Sequence, residues 1–506
     1  MKQESATRRM HSDGPASMSL ADMIERHARA SPDSFALHFE GEDIRYSQLW
    51  QRIRRATNVL RTLGIKPGDR VAYMGLNDPA MLVLLFALAR LGAILLPLNY
   101  RLVPMELQAI LDHSGSSLIV ADDHHAAASA AMTLAGCLKP ISIADLNADV
   151  VTPEAAEPAN LDKLPVLLVY TSGTTGKPKG ALHTQSGLIW NCVISAHAHD
   201  LNSAGHVLTV LPMFHVGGLC IQTLPALYAG AQVTLHRRFD AGAWLRDVQQ
   251  RRPTISLMVP ATLRAVLEHA DFEKTDLSSL KLLNAGSSLV PVSMIAVLHA
   301  RGVPVCQVYG ATETGPVSIY LRREDAMRFP GSAGQAGWHV EVRLVDGRGE
   351  DVATNEVGEI CIRAPNVMSG YWADVDNPAF QEGWFHSGDL ARRDDKGYYW
   401  VVGRSKDMII SGGENIYPAE LESVLAESPD ILEAAVVGRD DARWGEVAVA
   451  VVVKKPGASL SVDDVLKLFD GRLARFKHPR QVVFQSALPK TALGKVQKVE
   501  LKASLG

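Results

Sequence analysis

The sequence has few cysteines and no long uninterrupted hydrophobic run. Its five cysteines are odd in number and form no CxxC pair, which argues against a disulfide framework and a zinc site and favours a reducing, cytoplasmic compartment. Residues 1–18 lack the apolar core of a signal peptide, so we expect a disordered leader. The most apolar stretch, 81–98, is interrupted by Arg90, Gly92 and Pro97, which predicts a buried helix running into a strand rather than a membrane span.

An excess of either charge is also lacking. The formal net charge is −4, and the basic clusters are short, so neither nucleic acid nor an anionic membrane is expected as the main partner. Hydrophobic residues make up 47% and charged residues 21%, as is ordinary for a soluble globular enzyme. A chain of 506 residues is too long for one hydrophobic core, so we expect at least two domains.

Short β-rich runs alternate with helical stretches through the first two thirds of the chain. Such alternation predicts an α/β fold of parallel sheets covered by helices, with ligands at the loops that leave the strand C-termini. The predicted strands are 166–170, 232–235, 255–259, 281–283 and 305–308, and the predicted helices include 47–63, 243–250 and 261–269.

The pattern changes after residue 330. Segments 339–345, 358–363 and 397–402 alternate apolar and polar residues between glycine turns, which predicts a small antiparallel, barrel-like subdomain. A compact α+β unit follows, with helices over 418–427 and 462–473 and strands over 434–437 and 447–453. We therefore predict an N-terminal domain over 19–403, a boundary at 404–406 and a C-terminal domain over 407–506.

A loop rich in hydrogen-bond donors follows the predicted strand 166–170. Its sequence, TSGTTGKPKG at 171–180, combines hydroxyls, glycines and lysines with little side-chain bulk. Glycine permits the backbone conformations that turn successive N–H groups toward phosphate oxygens. The loop is not a Walker A motif, because the GxxxxGK[ST] spacing fails and Pro178 follows the lysine. A phosphate-binding loop is predicted, and a polar surface turn is the alternative.

Four further segments accompany this loop in a characteristic order. They are YGATETG at 309–315, GWFHSGD at 383–389, GRSKD at 403–407 and PKTALGK at 489–495. Together the five segments resemble the adenylate-forming superfamily of acyl-CoA synthetases, carrier-dependent adenylation domains and luciferases, over roughly residues 46–495. The resemblance implies an ATP- and Mg²⁺-dependent enzyme that converts a carboxylic acid to an acyl-adenylate and then transfers the acyl group to coenzyme A.

The resemblance also implies residue roles. Lys495 is the expected catalytic cation between the carboxylate and the α-phosphate, with Thr312 contacting the same groups and Glu313 binding Mg²⁺. Asp389 is expected to accept the ribose hydroxyls, and Tyr309 to pack against adenine. The segment 284–288 departs from the family's Gly-Gly-Ala-Pro turn, and Ser387 replaces the usual threonine. The expected nucleotide-binding residues are Thr171, Ser172, Gly173, Thr174, Thr175, Gly176, Lys177, Lys179, Gly286, Ser287, Tyr309, Gly310, Asp389 and Arg404.

The segment PMFHVGG at 212–218 resembles the family segment that gates the acid site. Glycines 217 and 218 are expected to leave room for the acid, and no lysine or arginine is visible to pair a second carboxylate. A medium- or long-chain fatty acid and a benzoate- or cinnamate-like acid both fit, with a slight preference for the fatty acid. A carrier-loading adenylation enzyme is the alternative function. The expected acid pocket comprises Phe214, His215, Val216, Gly217, Gly218 and Gly315.

The resemblance also implies a hinge and a coenzyme A site for the transfer of the acyl group. Lys406 stands at the family's hinge position, about which the C-terminal domain rotates to present a coenzyme A face. Core packing is the alternative for Trp444 and Phe476, and a homodimer is possible. The expected coenzyme A residues are Ser411, Gly412, Gly413, Glu414, Trp444, Phe476, Lys477 and Arg480.

Overall fold

A largely parallel sheet carries the predicted phosphate loop at the end of one strand. The computed structural model describes residues 18–134, 138–150, 158–171, 179–286, 290–374, 379–411, 414–441, 443–491 and 494–505. Thr171 pairs with Lys179 in an antiparallel hairpin, so residues 172–178, which lie outside the described ranges, connect its two strands. In sheet order the described strands are Gly370–Tyr371, Lys179–Thr184, Pro165–Thr171, Ile94–Pro97, Arg70–Met74, Leu118–Ala121 and Ile141–Ser142.

A second sheet presents the other predicted site segments. Its central strands are parallel, which confirms the predicted α/β class, and Tyr309 and Gly286 end two of them. In sheet order the described strands are Gln335–Ala336, Ile319–Tyr320, Val305–Tyr309, Leu282–Gly286, Ile255–Met258, His206–Thr209, Gln232–Leu235, Phe35–Phe39 and Glu42–Arg45.

Buried helices join the two sheets into one hydrophobic core. The helix Pro79–Leu91 is buried at every residue except Arg90 and lies among residues of both sheets, as expected for a helix with almost no solvent-facing side. No described helix is long and apolar enough to cross a membrane. The described helices of this region are Asp22–Ala30, Tyr46–Thr62, Pro79–Leu91, Pro104–Ser114, Ala126–Ala130, Ile143–Leu146, Gln185–Ala198, Val216–Gly218, Leu224–Tyr228, Ala241–Arg251, Pro260–Leu267, Val292–Ala300 and Arg323–Ala326.

The predicted antiparallel subdomain is present as a third sheet. Its first strand begins at Glu341 rather than 339, because His339 has a left-handed φ of 62°. Asp389 and Arg404 are partners on neighbouring strands, so the sheet places their side chains side by side. The described strands are Glu341–Val345, Val357–Arg363, Phe380–Gln381, Trp384–Arg393 and Tyr399–Arg404.

A fourth sheet begins after the predicted boundary and has its own core. The predicted helix over 462–473 is too long: it ends at Lys467, and turns follow, with Gly471 in a left-handed conformation (φ 71°). Arg264 of the first region donates from Nη1 to the Leu432 carbonyl at 2.8 Å, which ties the two parts together. The described strands are Ile409–Ser411, Glu414–Ile416, Ile431–Asp441, Gly445–Lys454 and Gln481–Phe484, and the helices are Pro418–Ala426, Val462–Lys467 and Lys498–Ala503.

Candidate active site

Asp389 lies at the centre of a polar cluster in the third sheet. Its Oδ2 accepts a 2.9 Å hydrogen bond from the Tyr309 hydroxyl, and its Oδ1 lies 2.8 Å from Arg404 Nε. Burial, and then the negative charge of Asp389, raise the pKa of Tyr309 well above its usual value, so the phenol keeps its proton. The structure thus brings together three residues that the sequence separates widely.

The Ser387 hydroxyl holds the backbone of this cluster. It donates to the Ile360 carbonyl at 2.7 Å and accepts from the Asp389 N–H at 3.1 Å. A threonine would supply the same hydroxyl, so this departure from the family segment preserves the hydrogen bonds.

Glu313 lies beside the entry to the predicted phosphate loop. It belongs to the short helix Thr312–Thr314, and its Oε1 accepts from the Tyr371 hydroxyl at 2.8 Å and the Thr171 hydroxyl at 3.4 Å. On the other side of the loop, Lys179 Nζ lies 3.6 Å from Asp374 Oδ2 and 5.0 Å from the Tyr371 ring centroid. Residues 172–177 and Ser287 lie outside the described ranges.

This position suits a magnesium ligand, because hard cations bind carboxylate oxygens while keeping phosphate oxygens as partners. Thr312, directly before Glu313, is buried. The sequence did not point to Tyr371, because a lone tyrosine 58 residues downstream of Glu313 offers no local signal.

A second group of possible metal ligands lies under the Asp389 segment. Among the described residues, ligand atoms of Glu359, Cys361 and His386 lie within 4.8 Å of one another. Glu359 accepts from the Gly388 N–H at 2.8 Å and lies 3.1 Å from His386 Nδ1. Burial raises the pKa of Cys361 to about 12, so its thiol stays protonated. This group therefore supports the backbone next to Asp389.

Lys495 reaches the same region from near the end of the chain. The Thr491 N–H donates to the Lys495 carbonyl and the Gly494 N–H to the Thr491 carbonyl, both at 2.8 Å, with Gly494 at φ 80°. Lys495 therefore closes this tight turn. Although Lys495 as a residue is exposed, protein around its ammonium lowers its pKa, as does Arg404, while Asp389 and Glu313 raise it.

His215 lies within the influence of the positive charge of Lys495. Its Nδ1 accepts the Gly217 N–H at 3.0 Å, which caps the short helix Val216–Gly218. Burial, and then the positive charge of Lys495, lower the pKa of His215 to about 4, so the ring is neutral at physiological pH. The neighbouring Phe214 ring meets Tyr100 edge-on at 5.4 Å.

The expectation that Gly218 leaves room for the acid is wrong. A Cβ at Gly218 would lie 2.3 Å from the Pro212 carbonyl oxygen, so this glycine permits close backbone packing. Gly310 and Gly315 likewise permit close packing, Gly310 against the backbone of Pro316 and Gly315 against that of Asn366. A cavity of about 10 Å³ does adjoin this segment; it is lined by Thr209, Val210, Leu211, Gly217, Gly218, Gln222, Thr223 and Leu257.

Other side chains around the acid segment were not foreseen. Arg101 lies with its guanidinium 5.9 Å from the Phe214 ring centroid. The sequence showed no lysine or arginine near the expected acid pocket. Arg101 lies beside it in the fold, because it comes from a distant part of the chain.

The described members of the expected coenzyme A set are exposed or half-buried in the last part of the chain. Trp444 and Phe476 are 37% and 43% exposed, so the core-packing alternative is wrong. Arg480 lies 5.5 Å from the Trp444 ring centroid, whereas the Lys477 ammonium pairs with Glu420 at 2.6 Å. Ser411 and Glu414 pair across a hairpin, with residues 412–413 outside the described ranges, and Lys406 is exposed in the short helix Ser405–Asp407.

Comparison with known proteins identifies the family. Residues 24–372 match the AMP-binding enzyme family and residues 420–495 its C-terminal domain, so the chain belongs to this family of adenylate-forming enzymes. The chain is 45% identical to the indoleacetate–CoA ligase of Aromatoleum aromaticum, covering 96% of this chain and 98% of the relative. It is 43% identical to a feruloyl-CoA synthase of an Amycolatopsis species, over 95% and 98%.

More distant relatives agree on the reaction. A long-chain-fatty-acid–CoA ligase of Mycobacterium tuberculosis is 34% identical, over 95% and 97% of the two chains. The o-succinylbenzoate CoA synthetase of Bacillus subtilis in complex with ATP and magnesium has a TM-score of 0.85 and 29% identity, over 95% and 99%. The protein is an AMP-forming acid–thiol ligase: it activates a carboxylic acid with ATP and Mg²⁺ and transfers the acyl group to coenzyme A.

Proposed function

We propose that the acid is aromatic rather than a fatty acid, which reverses the slight preference drawn from the sequence. The observation that carries this is the small cavity beside Gly217 and Gly218, which is lined by Gln222 with its unpaired Oε1 as well as by apolar residues. An alkyl tail would leave Gln222 Oε1 unpaired, whereas a ring that carries a polar substituent can pair with it. The 45% and 43% identical relatives named for indoleacetate and ferulate support the same choice.

We assign the first half-reaction to the residues around Asp389 and Glu313. A carboxylate oxygen of the acid forms a bond to the α-phosphorus of ATP while the bond to pyrophosphate breaks. Lys495 offsets the negative charge at the reacting oxygens, and Asp389 holds the ribose between Tyr309 and Arg404. Glu313 would hold Mg²⁺, which supplies charge neutralisation to the phosphates. Neutral His215 lines the acid side without adding a second positive charge.

For the second half-reaction we propose rotation of the C-terminal domain, 407–506, about Lys406. The coenzyme A thiolate then attacks the acyl carbon, and the bond to AMP breaks. A rotation is needed because Lys495 occupies the region of Glu313 and Asp389 here. Exposed Trp444, with Arg480 beside it, offers a surface for the adenine and phosphate of coenzyme A. Within the described ranges the cysteines at 192, 220, 306 and 361 are buried and free, which supports a reducing, cytoplasmic location.

A panel of acids tests the substrate class. We expect pyrophosphate exchange with indole-3-acetate, 4-hydroxycinnamate and benzoate to exceed that with hexanoate, decanoate and palmitate at least about tenfold in kcat/KM, since poor pocket fit costs about 1–3 kcal/mol. Mass detection of the thioester would follow each active acid to coenzyme A. Faster activation of the fatty acids would overturn the proposal.

A further inference from the structure

The side chain of Gln222 is buried, and only one of its two polar atoms is hydrogen-bonded. Its Nε2 donates to Asn284 Oδ1 at 2.6 Å, whereas its Oε1 has no hydrogen-bond partner within the described part of the chain. The residue is 2% exposed, so bulk water does not reach that oxygen. Buried polar groups are nearly always paired, so an unpaired one calls for an explanation.

The orientation of this amide is determined by a backbone group. Asn284 Nδ2 donates to the Cys306 carbonyl at 3.1 Å, and a carbonyl can only accept. The Asn284 side chain therefore turns its Oδ1 toward Gln222. Because this oxygen can only accept, Gln222 must donate to it from its NH₂ group. The free atom of Gln222 is thus an acceptor, and exchanging its nitrogen and oxygen would break the chain of hydrogen bonds.

The two hydroxyls of the same cavity are also left as acceptors. Thr223 Oγ1 donates to the Gly218 carbonyl at 2.6 Å. Its hydrogen is then committed, so in the 2.8 Å contact between Thr209 and Thr223 the donor is Thr209. Both hydroxyl hydrogens are used, and only lone pairs face the remaining space.

The cavity consequently presents acceptors and apolar surface, and no free side-chain donor. Leu211 and Leu257 supply apolar wall, and Gly217 and Gly218 join it to the acid segment. Its volume of about 10 Å³ fits one small polar group. A group that fills it must bring an N–H or O–H on an otherwise apolar frame.

We propose that this cavity selects aromatic acids that carry a hydrogen-bond donor on the ring, such as an indole N–H or a phenolic O–H, with Gln222 Oε1 as the acceptor. This rests on the proposed function, because it names the substituent within the aromatic class. An analogue of the same shape without the donor leaves Gln222 Oε1 unpaired in a buried site, and pockets reject such analogues most strongly.

Matched pairs of acids test the inference in the full-length enzyme. The pairs are indole-3-acetate against 1-benzothiophene-3-acetate and 4-hydroxycinnamate against cinnamate, with kcat/KM measured by pyrophosphate release. For the wild type we expect the donor-bearing acid to be favoured about 100-fold in at least one pair. Gln222→Met, which keeps the volume and removes the acceptor, should reduce that ratio below about fivefold.

A second buried glutamine gives the control. Gln307 donates to the Ser332 carbonyl at 2.8 Å and does not line the cavity, so Gln307→Met should lower stability and leave the ratio unchanged. Thr209→Val replaces Gln222→Met if the latter does not fold, and it should lower the ratio partially.

The outcomes separate the two proposals. Equal rates within both pairs in the wild type would overturn the donor site and mean that the cavity holds a water, while an aromatic substrate class would stand. Activation of fatty acids alone would overturn the proposed function itself. An unchanged ratio in Gln222→Met and Thr209→Val would remove Gln222 as the acceptor.

Discussion

The ammonium of Lys495 lies close enough to His215 for its charge to act on the imidazole. Burial first and Lys495 second lower the pKa of His215 to about 4. A residue of the last sheet region therefore reaches the acid segment of the first, as the first half-reaction requires.

Lys495→Ala should suppress acyl-adenylate formation about 10²- to 10³-fold, the effect of losing one preorganised charge-stabilising group. Thioester formation from supplied acyl-adenylate should continue. Single-turnover assays of each half-reaction check this, with Lys498→Ala as control, because Lys498 pairs with Glu422 at 2.7 Å. Equal loss in both half-reactions would contradict the assigned role.

Asp389→Asn should raise KM for ATP roughly 10- to 100-fold, since hydrogen bonds to charged groups are worth about 1.5–3 kcal/mol. The change keeps the side-chain volume but leaves Arg404 without its carboxylate. Initial rates across ATP concentrations measure it. Glu341→Gln removes an exposed arginine partner in the same sheet and should have no effect; a similar rise there would mean that the subdomain, not Asp389, was damaged.

Gly218→Ala should reduce activity toward every acid alike instead of shortening the accepted acid. The added methyl meets the Pro212 carbonyl at 2.3 Å, so the backbone must move. Relative kcat/KM over acids of increasing length, together with the melting temperature, distinguishes the two effects. Gly347→Ala, which meets nothing within 4 Å, is the control. A graded shift in acid length would mean that Gly218 does set the space available to the acid.

Lys406→Pro should retain acyl-adenylate formation and lose coenzyme A-dependent turnover. Proline fixes φ near −65° and restricts Ser405, so the large dihedral change of a hinge is blocked. Half-reaction assays on folded protein decide it. Lys406→Ala should be active, because the side chain is exposed; normal thioester synthesis by Lys406→Pro would place the rotation elsewhere.

The free energy of unfolding should fall as pH drops from 6.5 to 4. Burial lowers the pKa of His183 and of His199 from 6.5 to about 4, so the unfolded chain binds more protons in that range. Their stabilising effect is complete above pH 6.5 and is lost toward pH 4, at about 3 kcal/mol each. Urea unfolding across pH measures it. His183→Leu should flatten the slope, and an unaltered slope would assign the effect to other groups.

Sequence alone determined those features that depend on neighbouring residues. The alternation of apolar runs with helical stretches predicted the strand Gln232–Leu235 to the residue and the buried helix within 81–98. The order of five short segments indicated the family, because each segment is a continuous stretch of sequence. The predicted helix 462–473 failed at its end, where Leu468 and Gly471 enter turns that periodicity does not exclude. The domain boundary and the residue roles stay predictions.

Tertiary structure decided which side chains meet and which way each one points. Tyr371 donates to Glu313, and Asn284 turns Gln222, although no spacing in the chain links either pair. Gly218 looked like open space in the sequence, but its missing Cβ faces a carbonyl. Such contacts depend on the direction of a Cα–Cβ bond across elements that the fold brings together, and a one-dimensional pattern does not contain that direction.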